Sequence, residues 1–259
     1  MQQKKPKGKP DPFFIGWAKK PPKLLQGFLF FVSAVLVGGA AGVAFSIGAS
    51  VPDPGNGTFL WSAGYQTMTG VVEAKPYPVL RLPPSEPGGE PRALLLSGVG
   101  KRGVQGLAGP LDGKQVDAGG VLLKRGTIEM LQVGGQVKLR AAETPLNSFE
   151  PQPAEDLGRW RLSGEVCDGK CYVGAMRPGV GLAHKACANL CLIGGVPPVF
   201  VSTSPVDGSS FFLLADAQGN PVPEDLYDLT ALFISLEGEI ERRDDLLIFK
   251  ADLTTAKRL

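Results

Sequence analysis

The chain is poor in histidine and cysteine, with one His and four Cys in 259 residues. The histidine is His184, so a polyhistidine metal site is excluded and any nucleophilic triad would have to use this one imidazole. There is no Cys-x-x-Cys-His, which excludes covalent c-type haem, and the Cys-x-His pairs of a Rieske centre are missing as well. The 35 Gly and 23 Pro follow no G-X-Y period, which excludes a collagen-like chain and leaves them as turns of a β-rich body. Residues 24 to 51 carry no charge at all. Against these shortages, 43% of the residues are hydrophobic, enough for a folded core and too many for a disordered chain.

The net charge of +2 averages two unlike regions. Lys4, Lys5, Lys7, Lys9, Lys19, Lys20 and Lys23 face only Asp11 in the first 23 residues, a net of +6, so residues 52 to 259 carry 2 − 6 = −4. A body of that sign is unsuited to neutralising phosphates, and no nucleic-acid partner is expected. The 28 uncharged residues from Leu24 to Val51 exceed the roughly 20 that cross a bilayer and the roughly 7 to 15 of a signal-peptide core. They read as a transmembrane helix rather than a cleaved signal ending near Gly48-Ala49-Ser50. Lysines flank only the N-terminal end, which puts residues 1–23 in the cytoplasm and the body on the far side. In a bacterium this means an inner-membrane anchor and a periplasmic body. Trp17 before the span, and Phe59, Trp61 and Tyr65 after it, suit the headgroup level. Gly38 and Gly42 form a G-x-x-x-G pair that would let a second membrane helix approach.

The exported region repeats itself. Ala93 to Val133, moved by 118 residues, lies over Phe211 to Ala251 without a gap, aligning Leu95 with Leu213, Leu96 with Leu214 and Gly120 with Gly238. Upstream, Gly70 corresponds to Gly164 and Pro78 to Pro198. Each unit reads as three strands, a short connection and a hairpin, with tips at Lys124-Arg125-Gly126 and Arg242-Arg243-Asp244-Asp245. The fold class expected is all-β with one N-terminal transmembrane helix and two tandem small OB-like β-barrels; an open sandwich is the alternative. The segments are a basic tail (1–23), the helix (24–51), a tether (52–67), a first barrel (68–140), a linker (141–158) and a second barrel (159–259).

The copies differ by an insertion. Gly70 lies 8 residues before Pro78 but Gly164 lies 34 before Pro198, so the second unit carries 34 − 8 = 26 extra residues. Cys167, Cys171, His184, Cys187 and Cys191 all fall in or beside them. Residues 182–192 read as a short helix stopped by Gly194 and Gly195, with His184, Cys187 and Cys191 on one face. Cys171 would complete a four-ligand Cys/His shell, Cys167 would add a fifth sulfur or a resolving thiol, and Met176 is a weak axial ligand or an ordinary loop residue. Copper, zinc and an iron-sulfur cluster all suit such donors. The same four cysteines in an oxidising compartment also suit two disulfides running from turn to helix, or a redox-active dithiol. The first barrel reads as scaffold or docking surface. Gly98-Val-Gly-Lys-Arg-Gly103 lacks the spacing of a nucleotide-binding loop, and Glu224-Asp225 and Asp244-Asp245 read as solvated turns.

The run GEVCDGKCYVGAMRPGVGLAHKACANLCLIGGVPPVFV resembles a segment of an uncharacterised group of membrane-anchored bacterial proteins. The likeness covers about residues 162 to 251 and is sharpest at Lys170-Cys171, His184, Cys187, Cys191, Gly194-Gly195 and Pro197-Pro198. It implies a bacterial source and no particular activity. The chain is expected to act as an accessory or electron-transfer subunit of a membrane-bound respiratory assembly, with other membrane subunits as partners, rather than as a stand-alone enzyme. A disulfide-stapled structural subunit and a thiol-disulfide or copper-handling protein are the alternatives.

Overall fold

The computed structural model describes residues 21–50, 54–86, 88–144, 146 and 149–259. The tail lysines up to Lys20 and Trp17, the start of the tether and part of the linker lie outside the described residues. Helix α1, Lys23–Ser50, holds the apolar run. Its most apolar 18-residue stretch has a mean hydropathy of 2.3, and at 1.5 Å per residue the helix is about 42 Å long, more than the roughly 30 Å of a hydrocarbon core. Ser46 Oγ donates to the Gly42 carbonyl one turn back at 2.9 Å, so this hydroxyl is satisfied within the helix. One long apolar helix near the N-terminus suggests a membrane anchor.

Asp53–Leu259 forms a separate compact unit that is mostly β. Its first half contains β1 (Thr58–Phe59), β2 (Gln66–Glu73), β3 (Val79–Leu82), β4 (Arg92–Ser97), helix α2 (Gln105–Ala108), β5 (Gln115–Arg125), β6 (Ile128–Val133) and β7 (Leu139–Ala141). The second half contains β8 (Glu155–Asp168), helix α3 (Lys185–Ile193), β9 (Pro198–Val206), β10 (Ser209–Asp216), β11 (Phe233–Arg243) and β12 (Leu246–Arg258). The second half closes into a five-stranded barrel in the order β10-β12-β11-β8-β9. In the first half the sheet runs β1-β5-β2-β3-β4-β6, and β5 also pairs with β6. Residues 58–67, assigned to the tether from the sequence, hold β1, a helical turn and the start of β2.

The pairings recur at the sequence offset. Leu95 pairs in parallel with Met130, and Leu213 with Ile248; Gly120 pairs with Val133, and Gly238 with Ala251. Both hairpins turn where expected, each with a left-handed residue at its tip, Gly126 (φ 58°) and Asp244 (φ 55°). Tight turns between twisted strands need a positive φ, which Gly and Asp tolerate.

Strands β3, β4 and β6 have almost no solvent face, and the alternation of side chains shows why. Leu80, Leu94, Leu96 and Leu131 point into the first half's own core. Their neighbours Val79, Ala93, Leu95 and Met130 belong to a second core that continues through Phe200, Phe211, Phe212, Leu213 and Phe249 of the other half. Arg81 lies at this junction with its side chain fully buried. It donates to Glu73 through Nε and Nη2 and to the Arg243 carbonyl through Nη1 at 2.6 Å, with Asp244 Oδ2 3.5 Å away. The hairpin acids, expected to be solvated, are therefore structural. The Asp244 side chain is 1% exposed, its carboxyl pushed up by burial against the opposing pull of Arg81, and Asp245 Oδ1 accepts the Ala93 N–H at 2.6 Å.

Replacing Arg81 by Met would leave Asp244 without its cation and Glu73 with Arg243 alone, 3.4 Å away. The expected loss is about 3–5 kcal/mol of stability, read as a lowered urea midpoint of the detergent-solubilised chain. A midpoint equal to the wild type would show that the junction does not depend on this ion cluster.

Candidate thiolate centre

β8 continues to Asp168, and the segment between β8 and β9 then folds as a helical turn at Cys171–Ala175, a further turn at Leu182–His184 and α3, capped at its C-terminus by Gly194. Asp168 organises this start. Its Oδ1 accepts the Cys171 N–H at 2.8 Å, as a capping carboxylate would, and its Oδ2 lies 2.9 Å from His184 Nε2. Both side chains are buried.

The Sγ atoms of Cys171, Cys187 and Cys191 all lie within 4.8 Å of one another. Cys187 and Cys191 are one turn apart on α3, and Cys171 meets them from the turn after β8, so two separate elements supply the sulfurs. Met176 Sδ is 3.9 Å from Cys187 Sγ. A second group, Asp168, Cys171 and His184, has the same tightness and shares Cys171 with the first. His184 is therefore beside the sulfur cluster rather than in it, turned to Asp168. Either group has donors that could hold a metal ion.

Cys167 joins neither group. Its thiol is buried against Glu165 Oε1 at 3.4 Å, and burial, reinforced by that carboxylate, holds it well above the ordinary thiol range. A thiol in that state is a poor ligand and a poor nucleophile. All four cysteines are free.

The first half contributes directly to the centre. Lys101 Nζ lies 2.6 Å from Cys187 Sγ and 3.6 Å from Cys191 Sγ, and also donates to the Cys187 carbonyl at 3.3 Å. The contact with Cys187 raises the Lys101 pKa, so the side chain stays an ammonium among the sulfurs. Lys170 fixes the segment that carries it. Its Nζ, buried between Asp168 and Cys171 in sequence, donates to the carbonyls of Gly98 and Gly100 at 2.6 and 2.8 Å. Burial lowers the Lys170 pKa, and the two carbonyls offset part of that cost. Gly103 N–H donates to the Gly194 carbonyl at 2.8 Å, and a Cβ on Gly194 would overlap the Lys101 carbonyl oxygen. Gly194, the first of the two glycines expected to stop the helix, also lets the backbones of the two halves touch.

Charge is divided unevenly among the three sulfurs. A hydrogen bond between Cys171 and Cys191 raises the first thiol and lowers the second. Burial raises Cys171 further, whereas Lys101 assists the lowering of Cys191 against burial. Of the two, Cys191 is the thiol that ionises more readily.

Asp168 and Lys101 were not among the residues singled out from the sequence. Asp168 had a legible signal, an acid three residues before Cys171 at the start of a helical turn. Lys101 had none, because it lies in the other half of the body and its loop resembled only a poor phosphate loop.

In metal-free, reduced protein, Cys191 is expected to ionise below the pH of an ordinary thiol. Cys171→Ala removes the donor and moves that step up by about one to two pH units, since a hydrogen bond to a charged group contributes about 1.5–3 kcal/mol and one unit is about 1.4. Thiolate ultraviolet absorbance against pH measures this; an unchanged curve would mean that the pair is not coupled. No protein-family model, no curated protein and no solved structure matches the chain.

Proposed function

We propose that this is a membrane-anchored accessory or electron-transfer subunit of a bacterial respiratory assembly, with a metal or redox centre built on Cys171, Cys187 and Cys191. The observation that carries the reading is the convergence of three sulfurs from two elements, under an ammonium delivered by the other half of the body. Soft thiolates select thiophilic ions.

The remaining parts of the reading rest on the chain's organisation. The lysine-flanked helix supports a cytoplasmic N-terminus and a periplasmic body, and Gly38 with Gly42 supports contact with a partner helix. The matching registers 118 residues apart support two copies of one OB-like unit, the second specialised by its insertion. A second reading is favoured by the closeness of the Cys171 and Cys191 sulfurs, which lie within 4.8 Å of each other. It makes them a turn-to-helix disulfide in an oxidising compartment, and the protein a structural or thiol-exchanging subunit.

Thiol counting under denaturation, with metal analysis of full-length protein purified without chelator, separates the two. The expected result is a reduced loop with stoichiometric metal; closed disulfides without metal would overturn the metal centre. Gentle detergent extraction should bring other membrane subunits with the chain, and recovery of the chain alone would remove the assembly role.

A further inference from the structure

Resting on the metal-centre reading, we infer that Cys171, Cys187 and Cys191, with Met176 as the fourth sulfur, form a site for a single Cu(I) ion. Nuclearity follows from spacing. A metal with bonds of about 2.3 Å to sulfur holds its ligand sulfurs about 3.8–4.0 Å apart, and the three Sγ atoms already lie within 4.8 Å of one another. A cubane cluster places each cysteine on a different iron and spreads the sulfurs more widely, so the spacing of these three suits one ion.

The donors select the ion. The neighbour of the three thiols is a thioether, with Met176 Sδ 3.9 Å from Cys187 Sγ. Zinc sites are completed by a thiolate, an imidazole or a carboxylate. The imidazole and carboxylate nearest here, His184 and Asp168, are engaged with each other at 2.9 Å and stand outside the three-sulfur group. A set of thiolates completed by a thioether is what a soft monovalent ion prefers. Lys101 Nζ, 2.6 and 3.6 Å from two of the sulfurs, occupies the mouth of the same pocket. As an ammonium it is the cation that the metal would replace there.

The test uses the full chain in detergent, reduced and free of oxygen, titrated separately with Cu(I) presented as its bicinchoninate complex and with Zn(II). One Cu(I) per chain should be drawn from the chelator and should resist excess Zn(II), with X-ray absorption showing sulfur neighbours only. Met176→Ala, a change in an exposed loop residue, should weaken Cu(I) by about tenfold and leave Zn(II) binding unmoved. Tight Zn(II) that outcompetes Cu(I) and is lost in His184→Asn would overturn the copper assignment while leaving the metal centre in place. Iron and sulfide yielding a stable coloured cluster would do the same. Failure of both Cu(I) and Zn(II) to bind the fully reduced protein would overturn this inference and the metal-centre reading together.

Discussion

The organisation of the body depends on the two-sided burial of β3, β4 and β6. Strands with one wet face could belong to an independent module, but Leu94, Leu95 and Leu96 are all buried, alternately against their own half and against the other. Removing the second half would expose Val79, Ala93, Leu95 and Met130 to water, at about 25 cal/mol for each Å² of apolar surface. This junction brings the turn after β4 against the insertion after β8. Everything at the sulfur cluster follows from that placement, because Lys170 can grip Gly98 and Gly100 only if the two halves are already docked.

The centre is an electrostatic compromise. Three thiols crowded into a half-buried pocket cannot all ionise unless positive charge is near, and the structure provides it from outside the insertion, through Lys101. Asp168 works against ionisation and raises both Cys171 and Cys191, even with its oxygens engaged by the Cys171 N–H and by His184. The imidazole therefore serves the geometry of Cys171 from behind. This is the outer-shell role that carboxylate and imidazole partners play around many metal sites, with the usual order of the two reversed.

Elements set by local pattern were legible in the sequence. The apolar run, the two hairpin tips, the short helix with its Gly194 stop and the grouping of Cys171, Cys187 and Cys191 all depend on residues near one another in the chain. What could not be read depends on docking. Helical spacing placed His184 with Cys187 and Cys191; the structure seats it in the turn before α3, 2.9 Å from Asp168, in a second group of possible metal donors that shares Cys171 with the first. Cys167 was grouped with the others by proximity, yet it belongs to the last residues of β8, where alternation sends its side chain into the barrel core. Asp244 looked like a hairpin acid in solvent until the other half closed over it.

Among the four cysteines, Cys187 alone is not buried. The pocket is thus asymmetric: Cys171 and Cys191 form its floor, and Cys187 with the Lys101 side chain forms its rim. Of the three clustered sulfurs, Cys187 is therefore the one most open to solvent, and a reagent that modifies surface thiols should find it before the buried pair.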